Sequence, residues 1–298
     1  MPSERNTRRI DSRAFVPNSD ILIPVPEVHD YRFLMVEIVG TLTVATANAT
    51  SVPADSPCDL IDRVDLIANG KDTLAQLPFV FAAMCNYEQN FSTEITAPAT
   101  SQAAHPIRAV GVIDLWNGDG FRPRDSAFQA AATSLFQLRL VTRDEESIIV
   151  PGGSTDLTLV ATLNTYVDTW IEYGDQGEAK AFKKRTYLSK QFDAANSEMV
   201  FDIPHGNVVR LLEVRCTDDG EPDDDLVNEM TFRLDDIDTR HKLPWKATQS
   251  VNRFDRNGNA PNAGFAVIDS TPEGKLTNMY DARGAARANL VLDVGAPS

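Results

Sequence analysis

Apolar and polar positions alternate along most of this chain. From Arg32 to Ala45, Leu34, Val36 and Ile38 interleave with Phe33, Met35 and Glu37, and then Leu42 and Val44 interleave with Thr41 and Thr43. A period of two rich in β-branched residues predicts one long strand, or a strand pair hinged at Gly40. Ile21–Val25 predicts a short edge strand closed by prolines. Alternation also predicts strands over Ala109–Leu115, Leu135–Thr142 and Asp156–Leu163, then over Met199–Ile203, Val208–Thr217, Glu229–Leu234, Phe265–Asp269 and Ala288–Val294. Val64–Ile67 leads into Asn69-Gly70, a pair that accepts positive φ and so predicts a tight hairpin. Ala127–Ser134 reads as a turn of helix or a small-residue loop. The period changes after Leu77-Pro78, where Phe79, Val80, Phe81, Met84 and Tyr87 fall on a spacing nearer 3.6. Trp245–Phe254 follows Pro244 in the same way, so each stretch predicts a short helix opened by proline.

These blocks recur. Leu60, Asp72, Thr73, Leu77 and Pro78 reappear 166 residues later as Leu226, Asp238, Thr239, Leu243 and Pro244. Arg32, Leu34 and Val36 return as Arg210, Leu212 and Val214 at an offset of 178, and Val112-Ile113-Asp114 returns as Val267-Ile268-Asp269 at 155. Three blocks in one order with spacers of changing length indicate a duplicated unit; a period this long means tandem domains, since solenoid repeats run to roughly 20–50 residues. At 298 residues the length suits two domains of ordinary size. Turn chemistry over Tyr173–Ala181 places the joint there, with Lys183-Lys184-Arg185 opening the next strand. The expected division is an N-terminal arm over 1–19, a first domain over 20–178 and a second over 179–298. Many short strands with only brief helices predict an all-β fold: two tandem jelly-roll barrels or sandwiches, each with one short helix.

Composition narrows the function. With 42% apolar residues each half can bury a core, while a net charge of −15 argues against a surface that neutralises phosphate. Cys58, Cys85 and Cys216 are odd in number and widely spaced, so no disulfide framework or zinc spacing follows, and a reducing compartment is the simplest setting. MPSERNTRR lacks the apolar stretch of a secretory signal, and the longest apolar run, Phe79–Cys85, is far short of a membrane span of about 20 residues. Against this acidic background Arg5, Arg8, Arg9 and Arg13 form a local basic cluster. It reads as a solvated terminus, or as an arm that orders on a neighbouring subunit, an anionic lipid surface or packaged nucleic acid.

Candidate chemistry is sparse. His29, His105, His205 and His241 have no neighbour at the spacing of a facial triad, which disfavours a metal-dependent bicupin enzyme. There is no Gly-x-Ser-x-Gly elbow. Gly118-Asp119-Gly120 and Gly152-Gly153-Ser154 lack the strand-to-helix setting and lysine of a phosphate loop. The acidic run Asp218, Asp219, Glu221, Asp223, Asp224 and Asp225 could offer oxygen ligands to a divalent cation but lacks EF-hand alternation, and reads more simply as a solvated loop. No catalytic, cofactor or metal residue is named, and no enzyme is expected.

The tandem halves, each with a long alternating strand, an Asn/Asp turn and a short helix after Leu-Pro, resemble the double jelly-roll major capsid proteins of tailless, membrane-containing, corticovirus-like bacteriophages. Tyr187-Leu188-Ser189-Lys190-Gln191-Phe192, followed by Met199–Pro204 and Val208–Val214, carries most of the likeness, which spans about residues 20–294 in pattern and order. The resemblance implies homotrimers of pseudo-hexagonal outline that tile an icosahedral shell in a virion, assembled in the host cytoplasm. It implies contacts with neighbouring capsomers and with minor capsid or vertex proteins, no cofactor beyond divalent cations at interfaces, no sequence-specific nucleic acid, and an arm at Arg5–Arg13 facing a membrane or genome. Two other readings stand beside it: a minor capsid, vertex or spike protein, and a carbohydrate-binding β-sandwich using Trp116, Trp170 and Trp245.

Overall fold

The structure, a computed structural model, describes residues 3–27, 30–45, 49–85, 94–116, 127–151, 156–172, 183–271 and 279–297. It forms two compact units that divide in sequence between Tyr187 and Leu188. The principal strands of the first unit are β1 (Ser3–Ala14), β2 (Asp20–Pro24), β3 (Asp30–Val44), β4 (Ile61–Ala68) and β5 (Asp72–Leu77). After helix α1 (Phe79–Met84) come β6 (Ala104–Asp114), β7 (Phe136–Thr142) and β8 (Leu157–Glu172). They make two sheets, β1-β8-β3-β6 and β2-β7-β4-β5. Tyr31 of β3 meets Phe136 of β7 edge to face, with ring centroids 5.2 Å apart, so the two sheets share one core.

In β3 the alternation works as the sequence predicts: Leu34, Val36, Ile38, Leu42 and Val44 are all buried. Gly40 is no hinge. A Cβ there would lie 2.3 Å from the Val160 carbonyl oxygen, so glycine permits the close approach of β3 and β8 in a single long strand. At Arg32 the ladder to β8 slips by one residue. That bulge reverses the parity, turning Tyr31 into the core and Arg32 outward.

The second unit contains β9 (Asn196–Asp202), β10 (Leu211–Arg215), β11 (Val227–Leu234), β12 (Asp238–Pro244), helix α2 (Trp245–Asp255), β13 (Phe265–Asp269) and β14 (Ala288–Val294). Its sheets are β9-β14-β11-β12 and β10-β13. The registers repeat those of the first unit residue for residue. Phe33 opposite Asp114 and Glu37 opposite Val110 become Leu211 opposite Asp269 and Arg215 opposite Phe265. Leu138 opposite Leu66 and Ile23 becomes Leu290 opposite Phe232 and Phe201. The β4–β5 bulge after Leu66 recurs after Phe232. Both hairpins turn on two positive-φ residues, Asn69-Gly70 (53° and 73°) and Asp235-Asp236 (52° and 62°), as a type I′ turn requires. Asn69 Oδ1 accepts the Ser134 N–H at 2.9 Å, and Asp235 Oδ1 accepts the Ala286 N–H at 2.7 Å. Asp114 and Asp269 each end their strand by accepting the N–H two residues on, at 3.0 and 2.7 Å. The duplication read in the sequence is a duplication of backbone geometry.

Three expectations are corrected. Residues 3–14 are an integral strand of the first unit's sheet and not an arm, because they pair with β8 from Ser3↔Glu172 to Ala14↔Thr162. Lys183–Tyr187 belong to the first unit: Arg185 lies beside β5, donating its N–H to Leu74 O at 2.8 Å and accepting from Gln76 at 3.2 Å. The Tyr173–Ala181 joint lies outside the described residues. The stretch read as Val208–Thr217 is broken at Arg210 into 208–209, β10 and the start of a small hairpin over 217–222.

Candidate functional site

The basic cluster sits on β1, where its ladder to β8 places Arg5 opposite Trp170, Arg8 opposite Val167, Arg9 opposite Tyr166 and Arg13 opposite Leu163. Arg5 Nε donates to both oxygens of Asp168, at 2.9 and 3.1 Å, and Thr7 Oγ1 and Arg32 Nη1 donate to the same carboxylate at 2.6 and 3.2 Å. Asp168 is fully buried, and a buried carboxylate persists only when paired and hydrogen-bonded, so this anchor fixes β1 in place. Arg13 donates to Asp11 at 2.6 and 2.8 Å, a hydrogen bond that raises the guanidinium pKa further. Arg8 and Arg9 are exposed, and neither has an ion pair among the described residues. Of the four arginines, these two carry charge available to a partner.

A second polar cluster lies on the same outward face. Glu37 accepts from Arg108 Nε at 2.9 Å, Tyr166 Oη at 2.9 Å and Asn164 Nδ2 at 3.1 Å, while Ser12 donates to Asn164 at 2.8 Å. Burial works to raise the Glu37 pKa, and the hydrogen bonds outweigh it and hold the carboxyl below its usual range. The cluster ties β1, β8, β3 and β6 together across their ladders. Sequence reasoning passed over it; the only signal was polar residues at outward positions 164, 166 and 168 continuing the alternation beyond Leu163.

The acidic run is structural at its centre. Asp224 Oδ1 accepts from Gln249 Nε2 at 2.6 Å, from the Gly264 N–H at 2.8 Å and from Trp245 Nε1 at 3.2 Å, joining the loop to α2 and to the approach of β13. No group of three potential ligands that could hold a metal ion occurs among the described residues. His105, His205 and His241 are dispersed, and His29 lies outside the described residues. His105 bonds locally to Ser101 O at 2.7 Å, His205 is exposed in a loop, and burial lowers the His241 pKa. Trp245 is buried in the second core, Trp116 lies beneath Arg32 at 4.9 Å, and Trp170 stands within β8. The cysteines are buried thiols, and burial pushes the Cys216 pKa up to about 11, the opposite of a reactive thiolate.

What the surface does offer is isolated apolar knobs on rigid supports. Ile237 is 87% exposed beside a turn held by Asp235 and by Asp236, which accepts from Asn289 at 2.9 Å. Phe254, 85% exposed, and Val251 stand on the outer side of α2. Val160 projects from the outward face of β8. Such residues gain by burial against another surface, at roughly 25 cal/mol per Å² removed from water.

No protein-family profile and no curated protein matches this sequence. Solved structures do match over nearly its whole length. The STIV MCP, from Sulfolobus turreted icosahedral virus, superposes with a TM-score of 0.72 at 14% identity, covering 99% of this chain and 93% of that one. The major capsid protein P2 from bacteriophage PM2 gives 0.59 at 12% identity, covering 99% and 94%. PBCV-1 VP54, fitted into a reconstruction of the virophage Sputnik, gives 0.59 at 10%, covering 100% and 85%. At these identities the likeness establishes fold: the chain is a double jelly roll.

Proposed function

We propose that this protein is a viral major capsid protein, a structural component whose trimers tile an icosahedral shell. The observation that carries the reading is the two-unit double jelly roll matched along 99% of the chain by structures named as capsid proteins. The dispersed histidines, the inert cysteines and the structural role of Asp224 support a non-enzymatic part. Self-association uses side chains that the barrels leave outside, among them Ile237, Val251 and Phe254. The protein resides in the virion, needs no organic cofactor, and meets minor capsid or vertex proteins at the margins of its capsomers.

Anionic contact, with a membrane or a genome, falls to Arg8 and Arg9. Deleting residues 1–13 would remove a whole strand and strand Asp168, so that deletion reports folding before it reports binding. The informative variant is Arg8→Glu with Arg9→Glu. It is expected to leave trimers folded and to reduce flotation with phosphatidylserine vesicles; undiminished flotation contradicts the contact.

The test of the reading is to express the chain, fractionate it and image the fractions by electron microscopy. Pseudo-hexagonal capsomers, or shells, are expected. Uniform single particles of one chain at every concentration would contradict it. The vertex or spike reading is separated by abundance, since a coat protein dominates the protein mass of purified particles.

A further inference from the structure

The two most exposed large apolar side chains among the described residues, Ile237 and Phe254, both belong to the second unit. Folding explains neither. The hairpin turn is set by positive φ at Asp235 and Asp236, and the first unit makes the same turn with an exposed Lys71 where the second has Ile237, at the offset of 166. Phe254 shares the outer side of α2 with Val251, three residues earlier and away from the buried Thr248 and Asn252. At the same offset Val251 stands where the first unit has a buried residue, Cys85.

Each apolar side chain has one uncompensated charge beside it. At the turn, Asp236 is paired with Arg287 and Asp238 with Arg240, while Asp235 accepts main-chain N–H groups at 2.7 and 3.1 Å and has no ion pair among the described residues. Next to Phe254, the exposed Arg253 is steadied by a bond from Nε to Gly258 O at 3.1 Å and likewise has no ion pair among the described residues. The two charges are opposite.

We propose that the Ile237 turn of one copy docks on the Val251 and Phe254 side of α2 of a second copy, with Asp235 facing Arg253. The partner is the chain itself because every copy carries both halves of the contact, matched in apolar character and opposite in charge. Burial of the apolar side chains supplies the affinity, and the charge pair fixes the orientation. Two unlike patches make a heterologous contact, which a rotation can close into a ring. Ring closure is what a capsomer needs, and in this the contact rests on the capsid reading.

The test is light scattering of two full-length variants, Ile237→Lys and Phe254→Lys, alone and mixed. Both sites are exposed, so each variant should melt as the wild-type chain does. Alone, each is expected to associate roughly tenfold or more weakly than wild type. Mixed one to one, they retain one sound contact, the Ile237 turn of the Phe254→Lys chain on α2 of the Ile237→Lys chain, while two lysines repel at the other. A complex of twice the chain mass is therefore expected from the mixture. Undiminished association of either variant, or a mixture that associates no better than its parts, would overturn the contact and leave the capsid reading standing. A wild-type chain that stays monomeric would overturn both.

Discussion

The two helices that follow the paired hairpins occupy the same place in the chain and are held by different forces. In α1 Phe79, Val80, Ala82, Ala83 and Met84 are buried, and Phe79 presses its ring onto β6 where Gly111 leaves room for it. In α2 the buried line is Trp245, Thr248 and Asn252. Asn252 donates to Val267 O at 2.7 Å and accepts the Val267 N–H at 2.9 Å, as a neighbouring strand would, and Gln249 adds a bond to Phe265 O at 3.0 Å. The corresponding edge of β6 is covered by backbone, the short strand Ile95–Thr96. Registers, bulges and turns survived duplication, and the means of covering the sheet edge did not. Backbone hydrogen bonds must all be met, but a side-chain amide can meet them as well as a strand.

Substitutions can break this comparison at graded strength. Trp245→Ala removes the largest side chain of the second core and a donor to Asp224; a loss of about 3–5 kcal/mol is expected, with a similar loss for Phe79→Ala in the first unit. Calorimetry should show each variant's own transition shifted. Asn252→Ala leaves both polar groups of Val267 unmet, and about 1–3 kcal/mol should go from the second unit only. Gly111→Ala places a Cβ 2.4 Å from the Phe79 ring, and overpacking should cost about 1–3 kcal/mol by denaturant titration. The reverse change at the equivalent site, Ala266→Gly, should cost about 1 kcal/mol or less.

Acid sharpens the comparison more gently. Burial lowers the His241 pKa, so the unfolded chain binds that proton first as pH falls. The stability it supplies is whole above the ordinary histidine value of 6.5 and is lost as pH falls below it toward the depressed folded value. The first-unit counterpart, Ala75, has no such dependence. His241→Gln should flatten the pH dependence of the second unit's melting near and below pH 6.5 and leave the first unit unchanged. An unaltered slope would assign it to other groups.

The sequence was most legible where local chemistry repeats. Asn69-Gly70 and Asp235-Asp236, the aspartates after Val-Ile, and Leu-Pro before each helix specify turns and ends by themselves, so two domains with one short helix each could be read directly. It was least legible where a residue's reason lies far along the chain. SERNTRRIDSRA has a single apolar residue with a β preference, Ile10, and becomes a strand because β8 and the buried Asp168 receive it from more than 150 residues away. For the same reason β8 was cut short at Leu163: Asn164, Tyr166 and Asp168 are polar, and only the fold shows that they serve Glu37, Thr7 and Arg5. No sequence pattern names Asp224 among six acidic neighbours as the one that binds Trp245.

Self-assembly is the step that the proposed capsid role requires. Multi-angle light scattering of the purified chain tests it most directly. Three times the 32.8 kDa chain mass, held across dilution, is the expected result; a monomer at every concentration would contradict it.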